Sequence, residues 1–285
     1  MIVQPVPLPR AELDFQLSPG QSAKDAAGVL QRHERETASL AEAEGMVVAR
    51  DVAYGARERQ KMDICRPLGC DGAPCLVFIH GGFWQEGHKA GSGFAARTCV
   101  AAGWGHVGVG YTLAPAARLG DIVDEVADAL ITLRKNAASY GIDPDRLIVA
   151  GHSAGGHLVA TIMAGLGGAE AANAVAGAVL ISGVFELGPI ADSYVNDVVG
   201  MNADDIANLS PMRARPLCDI PTQILIGGDE SNAFQWQSEA LYDAWSAHLS
   251  RLKLLRLAGR DHFDILDELA DPSSPSFTAI LEMVQ

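Results

Sequence analysis

The sequence predicts an α/β fold, a mostly parallel sheet with helices on both faces, on three observations. Short apolar runs recur along the chain: Cys75–Ile79, His106–Tyr111, Leu147–Ala150, Val175–Ile181, Thr222–Ile226 and Leu252–Leu257. Each run is continuous rather than alternating, as expected of strands covered on both sides. Helical spacing lies between them, clearest at Ile122, Val123, Val126, Ala129, Leu130 and Leu133. Asp121 opens that helix and Gly141 sits just past its end. Finally, the run Leu147–Ala150 leads straight into glycines and then into Leu158, Val159, Ile162 and Met163 at helical spacing, a strand, a tight turn and a helix.

The remaining elements follow in chain order. Residues 1–45 read as an N-terminal arm. Its stretch Gln21–Glu44, rich in Ala, Glu, Arg and Gln and free of Pro, predicts one or two surface helices. Met46–Tyr54 and Gln60–Arg66 predict an antiparallel pair at a sheet edge, joined by a turn at Tyr54-Gly55. From Phe185 to Asp219 the period is lost, and Pro189, Tyr194, Pro211 and Pro216 interrupt the chain. This stretch (residues 185–219) lies between two strands, where a cap over the carboxyl edge of the sheet can be inserted; a plain long loop is the blander reading. With no internal repeat, residues 1–285 read as one domain.

Bulk properties narrow the function classes. The 285 residues are 48% apolar and carry 35 acidic against 21 basic side chains, a net charge of −14. Phosphate backbones and anionic lipid are held by Lys and Arg, so nucleic-acid and membrane partners are excluded. Residues 1–10 carry three prolines and no apolar core of a signal peptide. No apolar run is long enough to cross a bilayer. Five cysteines, an odd number, indicate reduced thiols and a cytoplasmic protein. Cys65, Cys70 and Cys75 do not form a CxxC pair and are expected to be buried free thiols rather than metal ligands. No dinucleotide or Walker loop is present, so no cofactor is expected. A homodimer is neither specified nor opposed by the sequence.

The chemistry resides in three glycine-marked turns. Gly151-His-Ser-Ala-Gly155 follows a strand and opens a helix, the setting of a nucleophile elbow, with Ser153 as nucleophile. Upstream, His80-Gly-Gly-Phe-Trp84 follows the strand Cys75–Ile79. Glycines there can turn backbone amides toward the oxygen that becomes negative when a carbonyl is attacked, and Gly82, Phe83 and Ala154 are the expected donors. His80 is expected to brace that loop. A serine hydroxyl needs a base, and in sheets carrying such an elbow the chain order is serine, acid, histidine. Of the histidines after Ser153, His157 lies one helical turn beyond the elbow and His248 in a helix with Trp245 and Leu249. His262, in the loop after the last strand, is the expected base. The acid belongs after Thr222–Ile226, where Gly227-Gly-Asp-Glu230 offers both Asp229 and Glu230.

Taken together, His80–Trp84, Gly110-Tyr-Thr-Leu-Ala-Pro115, Gly151–Gly156 and Asp261-His-Phe263 resemble the hormone-sensitive-lipase-like branch of the α/β-hydrolases. The aromatic pair in His80-Gly-Gly-Phe-Trp84 and the segment Tyr54 to Asp63 look like the kynurenine formamidase (arylformamidase) group. The resemblance runs from Tyr54 to the C-terminus and implies the α/β-hydrolase fold. In many relatives the acid stands three residues after the first glycine of its loop, which selects Glu230, with Asp229 as the alternate. Many formamidases have Asp where this chain has Glu230. The implied activity is a serine hydrolase forming an acyl-enzyme, with no cofactor and with a small acyl compound, favourably an aryl formamide, as substrate. Phe83, Trp84 and Tyr111 are then candidates to line a wall for an aromatic leaving group, ahead of the cap residues Phe185 and Tyr194 and against the blander reading of core packing. A general short-chain carboxylesterase and a non-catalytic ligand-binding homologue are the rival readings.

Overall fold

The computed structural model describes residues 8–284; residues 1–7, which belong to the expected arm and to the signal-peptide reading, and residue 285 lie outside the described residues. Eight strands form one sheet in the order β1-β2-β4-β3-β5-β6-β7-β8. They are β1 (Met46–Ala53), β2 (Lys61–Pro67), β3 (Ala73–Ile79), β4 (Gly105–Val109), β5 (Ile142–His152), β6 (Gly177–Ile181), β7 (Thr222–Gly227) and β8 (Leu252–Leu257). β1 runs antiparallel to β2, and β2 to β4; every other pair is parallel.

The continuous apolar runs have a direct cause. Side chains alternate across a strand, and both faces of this sheet are covered. Cys75, Val77 and Ile79 of β3 pack into one core while Leu76 and Phe78 pack into the other. Leu147 and Val149 of β5 likewise oppose Ile148 and Ala150. Each large apolar side chain among them contributes about 1.5–3 kcal/mol on burial, so the runs Cys75–Ile79 and Leu147–Ala150 carry no polar residue.

In chain order the helices are α1 (Arg10–Gln16), α2 (Ala26–Ser39), α3 (Ala96–Ala101), α4 (Leu119–Asn136), α5 (Ala154–Met163), α6 (Ala169–Ala172), α7 (Leu187–Ala191), α8 (Asn196–Val199), α9 (Ala203–Leu209), α10 (Asn232–Trp245), α11 (Asp267–Ala270) and α12 (Pro275–Leu281). α4, α5 and α10 fill the first core; α3, α11 and α12 fill the second. Residues 185–219 hold the short helices α7, α8 and α9.

Several expectations need correction. α4 opens at Leu119, two residues before Asp121, because Asp121 is the third residue of a capping box and accepts from the Arg118 amide at 3.1 Å. β5 starts at Ile142, five residues before the apolar run, since pairing with Ala73 continues through polar positions. In the arm, α1 falls outside the expected helical stretch. α2 is not a purely surface helix: Val29, His33 and Thr37 form a buried face, and Thr37 accepts from the Gly93 amide at 3.0 Å. His248 lies past the end of α10 and is exposed. Cys65 and Cys75 are buried free thiols, but Cys70 is only half-buried, in the turn after β2.

Because β3 and β5 to β8 are parallel, the residues that follow them all gather at one carboxyl edge. His80, Ser153, Ser182, Glu230 and His262 are those residues.

Candidate active site

β5 ends at His152 and α5 begins at Ala154, which leaves Ser153 between them with φ 55° and ψ −118°. Such an angle in a non-glycine residue costs on the order of 1–3 kcal/mol and persists only where the surroundings impose it. They do so here through close packing. A Cβ on Gly155 would lie 2.1 Å from the Ile79 carbonyl oxygen, so α5 can touch the end of β3 only without a side chain there. A Cβ on Gly81 would stand 2.9 Å from the Cβ of Ser153, so the loop after β3 runs directly against the serine. The Ser153 amide donates to the Ile181 carbonyl of β6 at 2.8 Å.

That loop turns through three successive residues at positive φ: Gly82 (107°), Phe83 (46°) and Trp84 (59°). Gln85 and Glu86 amides close it on the Gly82 carbonyl at 3.0 and 2.9 Å. Among the described residues, the amides of Gly82, Phe83 and Ala154 donate to no protein acceptor. His80 braces the loop from below. Its Nδ1–H donates to the Gly81 carbonyl at 2.8 Å, and its ring stacks on Tyr111 at 4.2 Å. Burial pushes the His80 imidazole down to about 4, which keeps it neutral.

On the other side of the serine, the His262 Nδ1–H donates to Glu230 Oε2 at 2.7 Å. In the neutral imidazole this tautomer places the lone pair on Nε2, where a general base needs it. Ser153 and His262 are each only 2% exposed, and Glu230 is 7%. The neighbouring Asp229 side chain is 43% exposed and pairs with Lys24 Nζ at 3.0 Å, so of the two carboxylates Glu230 meets the imidazole. The other Glu230 oxygen, Oε1, accepts from the Gly227 amide at 2.8 Å and from Ser182 Oγ at 2.5 Å. His152 Nε2 donates to the His262 carbonyl at 2.7 Å, tying the base's backbone to the residue before Ser153. Burial, and then repulsion from His262, push His152 well below the usual histidine range, so it serves as a neutral donor.

The other histidines hold structure. His157 donates from Nε2 to the Leu209 carbonyl at 2.8 Å, and His33 stacks on Phe94. His106 is buried in β4, while His88 accepts from the Ala90 amide at the surface.

Trp84 and Tyr111 are not placed as lining rings. Both are 0% exposed: Trp84 packs edge-on to His157, and the Tyr111 hydroxyl donates to the His80 carbonyl at 2.8 Å. They form the floor beneath the loop, because its left-handed turn directs the chain back into the core at Trp84. The rings that gather at His262 are Phe234, which no expectation named, and two that were candidates, Phe83 and Tyr194. Phe234, near the start of α10, lies 4.5 Å from the imidazole, and Phe83 contacts both Phe234 and Tyr194 at ring separations of 6.4 and 6.3 Å. No motif singles out Phe234; only its place four residues after Glu230, in the first turn of α10, does. Ser182 left a faint signal, a polar residue directly after the apolar run ending at Ile181.

The arm also reaches the site. Lys24 donates from its amide to Asp261 at 2.8 Å and from Nζ to the Gly259 carbonyl at 2.5 Å. The Gln16 carbonyl accepts from Ser231 Oγ at 2.6 Å, and the Leu17 carbonyl from the Tyr194 hydroxyl at 3.2 Å. A segment far off in the chain thus touches the loops bearing Glu230 and His262.

A family model described as BD-FAE matches residues 62–233, more than half of the chain and inclusive of all three glycine-marked turns. A kynurenine formamidase from Salmo salar is 30% identical over 82% of this chain and 81% of its own length. The chain belongs to the BD-FAE family. The kynurenine formamidase from Danio rerio is 29% identical over 96% of both chains. Among solved structures, a Silicibacter sp. protein described as a thioesterase superposes with a TM-score of 0.83 at 27% identity, covering 96% of this chain and 99% of that one. This BD-FAE member therefore has the α/β-hydrolase fold and is a serine hydrolase acting on amides or esters. No described helix is long and apolar enough to cross a membrane.

Proposed function

We propose that this hydrolase cleaves aryl formamides of the N-formylkynurenine kind through a formyl-enzyme on Ser153. The observation that carries the reading is the pairing of His262 Nδ1 with Glu230 at 2.7 Å beside a serine held in a strained turn. His262 Nε2 takes the Ser153 proton as Oγ attacks the formyl carbon. The resulting oxyanion accepts from the amides of Gly82, Phe83 and Ala154. The C–N bond breaks as His262 returns the proton to the departing aromatic amine. Water, deprotonated by His262, then releases formate and restores the serine.

Support for an aromatic leaving group comes from the ring cluster of Phe83, Tyr194 and Phe234 around His262, and from the kynurenine formamidases among its relatives. Residues 185–219 act as the cap that carries Tyr194, and the described part of the arm, residues 8–45, closes against it within one domain. In this reading the protein works in the cytoplasm, on a small-molecule substrate.

Turnover of N-formylkynurenine against p-nitrophenyl acetate tests the reading. We expect the formamide to be the better substrate by kcat/KM, and Ser153→Ala to abolish both activities. Hydrolysis of the simple ester alone replaces this reading with that of a short-chain carboxylesterase. Failure of a fluorophosphonate to label Ser153 replaces it with that of a non-catalytic binding protein.

A further inference from the structure

Among the described residues, four of the five non-glycine residues at positive φ lie at this site: Phe83, Trp84, Ser153 and Ser182. The first three belong to two of the glycine-marked turns. Ser182 does not. It follows β6, is fully buried, has φ 49°, and its amide donates to the Leu225 carbonyl at 2.8 Å. Glycine adopts such an angle without the cost a side chain brings, so the backbone alone gives no reason for a serine. The reason lies in its hydroxyl, which donates to Glu230 Oε1 at 2.5 Å.

The Glu230 carboxylate is held by three donors from three different places. The Gly227 amide comes from the end of β7, the strand that leads into Glu230, His262 Nδ1 from the loop after β8, and Ser182 Oγ from just past the neighbouring strand β6. The first closes only the turn between β7 and the acid three residues on. Ser182 ties the carboxylate to a second strand. Glutamate has one more rotatable bond than aspartate, so its carboxylate needs this outside anchor to keep Oε2 on the imidazole. We infer that Ser182 is a positioning residue for catalysis, anchoring the longer triad acid so that Glu230 holds His262 in register with Ser153. The inference rests on the triad reading given under Proposed function.

The test is Ser182→Gly, which removes the hydroxyl while suiting the backbone angle, so that the variant folds. Its kcat should fall about 10- to 100-fold, the range for loss of an outer-shell hydrogen bond, with KM within about twofold of the parent, since Ser182 touches Glu230 and not the substrate. The downfield proton resonance of His262 Nδ1–H, assigned by its loss in Glu230→Gln, should move upfield. Ser182→Ala should show the same kinetic loss and a lower melting temperature than Ser182→Gly. Unchanged kcat in Ser182→Gly, or an unmoved Nδ1–H resonance, overturns the inference. Glu230→Gln separates the two readings. If it retains the parental rate, the triad itself is wrong; if it is crippled while Ser182→Gly is not, only the role of Ser182 falls.

Discussion

The two sides of Ser153 are built by different means. On the nucleophile side, geometry is imposed by backbone packing. Gly155 lets α5 meet β3, Gly81 lies against Ser153, and strained angles at Phe83, Trp84 and Ser153 aim the amides and the hydroxyl. On the acid–base side, geometry is imposed by side-chain hydrogen bonds between segments distant in sequence: Ser182 and His262 to Glu230, and His152 to the His262 backbone. Packing is unforgiving, because a clash displaces a whole helix. Hydrogen bonds fail more gently, because one lost donor leaves the others in place. The same reaction thus depends on one limb that is rigid and another that is adjustable.

The largest effect that probes this contrast is expected from Gly155→Ala. One methyl group would be set 2.1 Å from the Ile79 carbonyl oxygen. Overpacking of that kind costs about 1–3 kcal/mol or more. We expect both a lower melting temperature and a loss of kcat/KM of about a thousandfold, whereas Ser182→Gly loses activity without loss of stability. Near-parental activity in Gly155→Ala would show that the nucleophile side is as adjustable as the other.

Acid should attack the packed side next. His80 beneath the oxyanion loop and His157 on α5 are buried and held down to about 4 by desolvation. Their ordinary value near 6.5 applies once the chain unfolds. The unfolded state therefore binds more protons in between. The stability these neutral rings contribute is complete above about pH 6.5 and is lost as the pH falls toward 4, on the order of 3 kcal/mol for each ring. Urea denaturation at a series of pH values checks this. A midpoint that does not fall across that window would mean that one or both rings become protonated in the folded state.

The smallest effect is expected at the arm. Lys24 and its partner Asp229 are both exposed, and ion pairs in water contribute little. Lys24→Ala should lower kcat/KM less than about tenfold, since the amide contact to Asp261 survives the substitution. A loss beyond about a hundredfold would move the arm from support into the machinery and would make the acid–base side as brittle as the other.

The same contrast explains how far the sequence could be read. Ser153, Gly82, Phe83 and Ala154 stand in short motifs, because a turn made by backbone packing must be written in adjacent residues. Strand positions were legible for a similar reason, as covering both faces of the sheet demands unbroken apolar runs. Trp84 and Tyr111 misled because an aromatic residue beside a motif reads alike whether it faces a pocket or the core. Only the left-handed turn at Phe83 and Trp84 sends these rings inward.

By itself the sequence determined the α/β architecture and pointed to the elbow serine and the histidine after the last strand, since each follows from local pattern and chain order. Tertiary structure decided that Glu230, which the family resemblance favoured over Asp229, meets the imidazole, that Ser182 secures it, and that Phe234 and the arm border the site. These are contacts between residues 30 to more than 200 positions apart. No local pattern records a side-chain hydrogen bond whose partner arrives from another strand; only the closed sheet brings the two ends together.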